Sequence, residues 1–514
     1  MSVLKRNIVA NFGGNVWSGA MNIIFVPLYI HVMGAESYGL VGIFATLQTM
    51  VVILDMGLSA TLTREMARLS VQQGKEQEMR NLVRSLEIIY WCVAAFIGIA
   101  ITAIAPYITN QWVKAGQLSP QTIEQALRIM GFAMALQFPA SFYSGGLMGL
   151  QKQVLLNAIN IGVSTLRGAG AVLILWLISP TIQAFFLWQI IISIINTCLL
   201  AFFLWHKLPH TEKKIYFQKQ LFAGIWQFAV GMSGITITGL FISQVDKILL
   251  SKLLTLEEFG YYSFAALAAS SIAIFVRPVY LAVFPRFSGL VSLRDEIELK
   301  QLYHKSSQFL AVLILPPAIV LAFFSYEILL FWTGNPITVM NTYFIVRLLA
   351  IGATLNGLLH IPYALVLSYG WTSLSLYVHI IAIIVLVPMI TFLTTRYGVV
   401  GAPIGWIIYN SCNILITTHI MHLRLLKREK WQWYLNGVGK PLAVALIVAF
   451  LWRITIPTVI GRVSILLLIC GVLLTILSAT AIVTPYTRSW IMYTLNGNKI
   501  FLKLKNMREA KTDA

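Results

Sequence analysis

Apolar residues run along this chain in stretches of about 20 to 26, separated by short polar breaks. A hydrocarbon core roughly 30 Å thick is crossed by about 20 apolar helical residues. Inside lipid only helices and closed barrels satisfy their own backbone, and stretches this long and continuous are helices. The pattern predicts about fourteen spans, at 8–32, 38–63, 85–109, 123–148, 154–178, 181–204, 221–245, 258–284, 303–326, 341–368, 372–394, 400–423, 437–457 and 462–484. The expected fold class is an all-α polytopic membrane protein.

Polar residues interrupt these spans at helical spacing, about 100° per residue. Asn11, Asn15, Ser18 and Asn22 share one stripe of span one, and Gln48, Asp55 and Ser59 share one on span two. Asn160, Ser164 and Arg167 align on span five; Ser233, Thr236, Ser243 and Lys247 on span seven; Ser270, Arg277 and Tyr280 on span eight. Stripes on spans one, two, seven and eight fit a hydrated cavity between two lobes. Each stripe alone equally fits helix packing through small polar side chains.

Full charges are fewer and more telling, because a charge at the bilayer centre costs roughly 2.5–3.5 kcal/mol on insertion scales. Arg167 lies near the middle of span five, Arg277 in the inner half of span eight and Arg347 in the outer third of span ten. Asp55 lies in the inner half of span two, and Asp246–Lys247 closes the outer end of span seven. Plain structural readings exist for each. Asp55 precedes Met56–Gly57 and suits a break in its helix, Arg347 is able to snorkel, and Asp246–Lys247 suits an interfacial pair. Guanidinium groups keep their charge in low dielectric and match phosphate oxygens with paired hydrogen bonds. Three of them within spans point to an anionic cargo. The candidate substrate-binding residues are Arg277, Arg167, Arg347, Lys247, Asn15 and Asn22, and the candidate ion-coupling residues are Asp55 and Asp246.

The net charge of +19 changes the picture only through its placement. Lys and Arg gather in segments such as 64–84, 207–219, 286–305, 424–440 and 488–511, which fourteen spans put on one side. The positive-inside rule makes that side cytoplasmic, with both termini there. The excess is thus a topology signal that also suits anionic headgroups, and no nucleic-acid partner is expected. Cys92, Cys198, Cys412 and Cys470 all fall within spans, so a disulfide framework is not expected. The first apolar stretch is too long for a signal-peptide core and reads as a retained helix.

Two basic interruptions, 205–220 and 424–436, divide the chain into six, six and two spans: residues 1–210, 211–430 and 431–514. Glu36–Ser37–Tyr38–Gly39 before span two echoes Glu257–Glu258–Phe259–Gly260 before span eight. A shift of six spans preserves topology, so the repeat is parallel. Gly437-Val438-Gly439-Lys440 is followed by Pro441 and is not a phosphate-binding loop. Loops reach only about 20 residues, too little for the acidic or metal-binding apparatus of a membrane glycosyltransferase or polymerase. Transport without catalysis or cofactor is the expectation.

The segments Pro27–Leu28–Tyr29, Gly34 to Gly39, Asp55–Met56–Gly57–Leu58, Thr63–Arg64–Glu65, Gln244 to Leu250 and Phe259–Gly260–Tyr261–Tyr262 resemble bacterial oligosaccharide and O-antigen flippases. These belong to the multidrug/oligosaccharidyl-lipid/polysaccharide exporter (MOP) superfamily. The resemblance covers about the first 430 residues. It implies two six-helix lobes in a V, MATE-like, to which the span count adds two extra C-terminal helices. It also implies alternating access in the bacterial inner membrane, with undecaprenyl-diphosphate-linked oligosaccharide as cargo and coupling to H+ or Na+. Membrane lipids, a polysaccharide polymerase and chain-length proteins are the further partners it suggests. Asp55 and Asp246–Lys247 lie on matched motifs, whereas the three arginines rest on depth alone. Two alternatives stay open: a lipid II flippase of the same superfamily, and a drug/cation antiporter with an acidic cavity.

Overall fold

The computed structural model describes residues 3–70, 72–211, 237–455 and 462–489. Ser233, Thr236, the start of the seventh predicted span and the basic tail beyond residue 489 lie outside the described residues. Every regular element described is helical. In chain order they are α1 (Val3–Ile24), α2 (Val26–Val51), α3 (Leu58–Leu69), α4 (Glu76–Tyr107), α5 (Pro120–Gln137), α6 (Pro139–Gly149), α7 (Gln153–Leu177) and α8 (Ile182–Lys207). There follow α9 (237–253), α10 (Leu256–Ser270), α11 (Ala273–Leu293), α12 (Glu296–Phe323), α13 (Ser325–Thr333), α14 (Pro336–Leu358), α15 (His360–Ser368), α16 (Thr372–Tyr397), α17 (Gly401–Arg424), α18 (Lys440–Thr455) and α19 (Arg462–Val483).

Ten helical stretches among the described residues are long and apolar enough to cross a membrane, against the fourteen expected. The seventh expected span lies largely outside the described residues, and the other differences have local causes. The stretch Thr372–Arg424 runs through a tight 3-10 turn at Gly398–Val400, so two expected spans appear as one. The helices α5 and α6 are separated at Phe138, before Pro139, and α10 stops at Ser270. Gly34 leaves helical geometry at φ +83° within α2, where the first expected span passes into the second. That left-handed region favours glycine, which has no Cβ to clash.

By contacts the chain forms two compact units. The first comprises residues 1–264 and 379–402, the second 265–378 and 403–514. In the first, α1 packs on α7, α3 on α6, α4 on α5, and α8 on both α5 and α7. Small residues permit close approach: a Cβ on Gly131 of α5 would lie 3.0 Å from Ile101 of α4. In the second, α12 is the most enclosed helix and contacts α11, α14, α18 and α19.

A seam within the first unit joins α2 to α10. A Cβ on Gly260 would collide with the Ala35 carbonyl oxygen and stand 3.1 Å from the Gly39 nitrogen. One on Gly39 would strike the Leu256 carbonyl. The two glycines that the sequence puts in matching positions therefore each lie against the backbone of the other's helix. Beside them the Leu256 amide donates to the Lys114 carbonyl (2.9 Å) and Lys114 Nζ to the Leu253 carbonyl (2.8 Å). The Glu36 carboxylate accepts from the amides of Gly116 (2.7 Å), Gln117 (2.8 Å) and Leu118 (3.3 Å). Glu257, its sequence echo, instead accepts from the Tyr261 hydroxyl at 3.2 Å within its own helix.

Candidate functional site

The α2 helix ends at Val51 and passes into a 3-10 turn, Val52–Asp55. Met56 (φ +47°) and Gly57 (φ +75°) are both left-handed, and α3 begins at Leu58. Gly57 takes this geometry freely, while Met56 is held in a region sparsely used by residues with a Cβ. The break offered by Met56–Gly57 is thus present, but Asp55 does not cap it: α3 has no side-chain cap. Its carboxylate turns inward, 9% exposed, and accepts from Ser59 Oγ at 2.8 Å and from the Tyr90 hydroxyl of α4. Tyr90 is fixed between Phe138 and Phe142, with ring centroids 5.2 and 4.8 Å away.

Asp55 and Ser59 open onto a cavity of about 390 Å³, lined on its polar sides by Gln48, Gln137, Ser141 and Ser144. Gln48 and Gln137 bond each other across it, 2.8 Å apart. The stripe Gln48–Asp55–Ser59 expected on one helix face is brought together here. No Lys, Arg or His among the described residues forms an ion pair with Asp55. A carboxylate offers about four lone-pair sites, and two are used. Chemically, the pocket sets hydrogen-bonding side chains around a carboxylate with room beside it.

The arginines have different surroundings. In the first unit, Arg167 of α7 has a buried Nε with no hydrogen-bond partner among the described residues. In the second, Arg277 of α11 is exposed, forms no ion pair among the described residues, and precedes Pro278 within its helix. Arg347 of α14 donates Nε to the Ala322 carbonyl at 2.8 Å and lies over the Tyr343 ring, a helix-to-helix contact. Asp246 accepts from the Tyr262 hydroxyl, and Lys247 Nζ donates to Gln244 Oε1 at 3.3 Å. On α1, Asn11 accepts from Asn157 at 2.6 Å and Trp17 donates to Thr165 at 2.9 Å, so part of that face serves to hold α7. Asn15 and Asn22 are exposed.

Two groups escaped sequence reasoning. Tyr90 and Gln137 complete the Asp55 pocket from other helices, and nothing in helical spacing links them to it. Glu87, 7% exposed, accepts from Tyr143 (2.7 Å) and Trp205 (3.1 Å) and pairs with Arg84 (2.8 Å). Its i−3 arginine at the inner end of a span was a readable sign.

The family described as Polysaccharide biosynthesis protein matches residues 4–291. The chain belongs to that family. A Shigella flexneri protein named "Putative O-antigen transporter" is 23% identical over 410 residues, covering 79% of this chain and 94% of the relative. The lipid II flippase MurJ, in an inward closed conformation, superposes with a TM-score of 0.68 at 14% identity, covering 94% of this chain and 99% of its own. An inward-facing MATE family multidrug resistance transporter of the MOP superfamily superposes with a TM-score of 0.65 at 12% identity, covering 79% and 96%. At such identities the likeness concerns the fold. This multi-pass membrane protein of the polysaccharide biosynthesis family has the all-α fold of MOP superfamily transporters.

Proposed function

We propose that this chain is a flippase that carries undecaprenyl-diphosphate-linked oligosaccharide, an O-antigen or exopolysaccharide repeat unit, from the cytoplasmic to the periplasmic leaflet. The observation that carries this reading is a pair of arginines, Arg167 and Arg277, at spanning depth and without an acidic partner among the described residues. They sit in a chain whose family is one of polysaccharide biosynthesis. Free guanidinium groups at that depth are stable only facing water or an anion, and a diphosphate offers the matching oxygens. The named relative from Shigella flexneri supports a glycan cargo.

Movement is by alternating access, coupled to H+ or Na+ at Asp55, and no bond of the cargo is made or broken. The protein works in the bacterial inner membrane with both termini cytoplasmic. Arg347 and Lys247, each engaged with a neighbour, play smaller parts in holding the cargo, and Asn15 and Asn22 offer hydrogen bonds to sugar hydroxyls.

The test is genetic and biochemical together. Deleting the gene should remove surface polysaccharide and leave lipid-linked repeats in the inner leaflet of living cells. Arg277→Ala should do the same with protein still in the membrane, and Arg277→Lys should restore export only in part, because an ammonium lacks the paired donors. Normal surface polysaccharide in the deletion strain would contradict the proposal. Lethality relieved only by another lipid II flippase would point to peptidoglycan precursor instead.

A further inference from the structure

Four of the most deeply buried tyrosines have engaged hydroxyls. Tyr90 bonds Asp55, Tyr143 bonds Glu87, Tyr262 bonds Asp246, and Tyr303 meets His422 at 3.3 Å. Tyr280 of α11 and Tyr363 of α15 break this pattern. Both are half-buried, and neither hydroxyl has a hydrogen-bond partner among the described residues. At spanning depth an unpaired phenol is unfavourable against lipid, so these two mark a wet surface.

The rings are also arranged. Tyr280 and Phe284, one turn apart on α11, are parallel within 6° with centroids 5.8 Å apart. Tyr363 lies beside them, 6.3 Å from Tyr280 and tilted by 26°. His360 stands at 87° to Tyr280, 6.3 Å away, at the edge of this offset stack. Its Nδ1 faces the Asn356 carbonyl at 3.1 Å. A carbonyl only accepts, so Nδ1 carries the proton and Nε2 is left as an acceptor. One turn before Tyr280, on the same face of α11, stands Arg277, which has no ion pair among the described residues.

We infer that Tyr280, Phe284, Tyr363 and His360 form a sugar-binding platform that takes the pyranose next to the diphosphate of a lipid-linked glycan. The assignment rests on the flippase reading and adds a subsite to it. One face of a pyranose carries C–H bonds with partial positive charge, which meet the negative faces of the aromatic rings. The hydroxyls at its rim find His360 Nε2 and the two phenols. The phosphate attached to the same sugar then falls towards Arg277, so ring and guanidinium read the two parts of one headgroup.

Binding to the full chain in lipid nanodiscs tests this with two probes: undecaprenyl diphosphate, and the lipid-linked repeat extracted from cells deleted for this gene. Wild type should bind the glycan-bearing lipid more tightly. Tyr280→Leu and Tyr363→Leu should each weaken that lipid by about three- to tenfold and leave undecaprenyl diphosphate unchanged. Tyr280→Phe, which keeps the ring face, should lose less than Tyr280→Leu, and Arg277→Ala should weaken both probes. A Tyr280→Leu protein that binds both lipids as wild type does, or loses both equally, overturns the platform. Equal wild-type affinity for the two probes also overturns it while leaving the flippase reading intact; binding of neither removes both.

Discussion

Asp55 and Asp246 each accept a hydrogen bond from a tyrosine hydroxyl, Tyr90 in one case and Tyr262 in the other. Their surroundings differ. Asp55 sits on a broken helix beside about 390 Å³ of space, with a serine on its second oxygen. Asp246 lies within the continuous α9, half-buried, and its tyrosine belongs to α10, the helix that closes the seam against α2. The same carboxylate–phenol pair therefore borders a cavity in one place and ties two consecutive helices together in the other. Sequence motifs single out both acids without separating them; the local backbone does, broken at Asp55 and continuous at Asp246.

The sharpest way to break this comparison is to neutralise each acid in turn. Asp55→Asn keeps the shape and both hydroxyl contacts, so protein abundance should stay near wild type while export falls by at least about tenfold, as when one charge-assisted contact is removed. Asp246→Ala, which removes the acceptor of the Tyr262 hydroxyl altogether, should retain export and instead lower thermal stability, by about 1–3 kcal/mol for the phenol left unpaired. Surface polysaccharide and melting temperature, measured on both variants, check the pair of outcomes. If the two proteins behave alike, the distinction drawn from their surroundings is wrong.

The seam offers a second, somewhat smaller effect. Gly260→Ala places a methyl against backbone that has no rotamer to change, so overpacking should cost about 1–3 kcal/mol. Thermal denaturation of purified protein reads it, and an unchanged midpoint would show that the seam is looser than described. A smaller effect again is expected from Glu36→Gln. Loss of a charged acceptor for the amides of Gly116, Gln117 and Leu118 should speed their hydrogen exchange by roughly tenfold, in line with about 1–2 kcal/mol for such bonds.

Much of the fold was legible because membrane spans are long and their apolar character is independent of what they touch. Even the break after Asp55 was readable, since Met56–Gly57 is a local signal. The stripe Gln48–Asp55–Ser59 was recovered because all three lie within twelve residues of one local stretch, and they line one cavity even across the break after Asp55. Residues joined across helices were not. Tyr90 reaches Asp55 from α4, and Arg347 is taken up by the carbonyl of Ala322, contacts that no periodicity along one segment encodes. The compact units likewise divide after Phe264, where contacts decide, and the division at residue 210 expected from basic loops is a statement about repeats. Asn11 shows the opposite hazard: a stripe that suits a cavity is partly spent on holding α7.

Transport itself is best tested with the purified full chain in proteoliposomes that hold the lipid-linked repeat in both leaflets. A membrane-impermeant lectin reports the pool on the outer face while a proton or sodium gradient is imposed. The expected result is a gradient-dependent shift of the glycan-bearing lipid across the bilayer with wild type, lost with Asp55→Asn and with Arg277→Ala. A distribution identical to that in protein-free vesicles, under either gradient, would contradict the flippase reading.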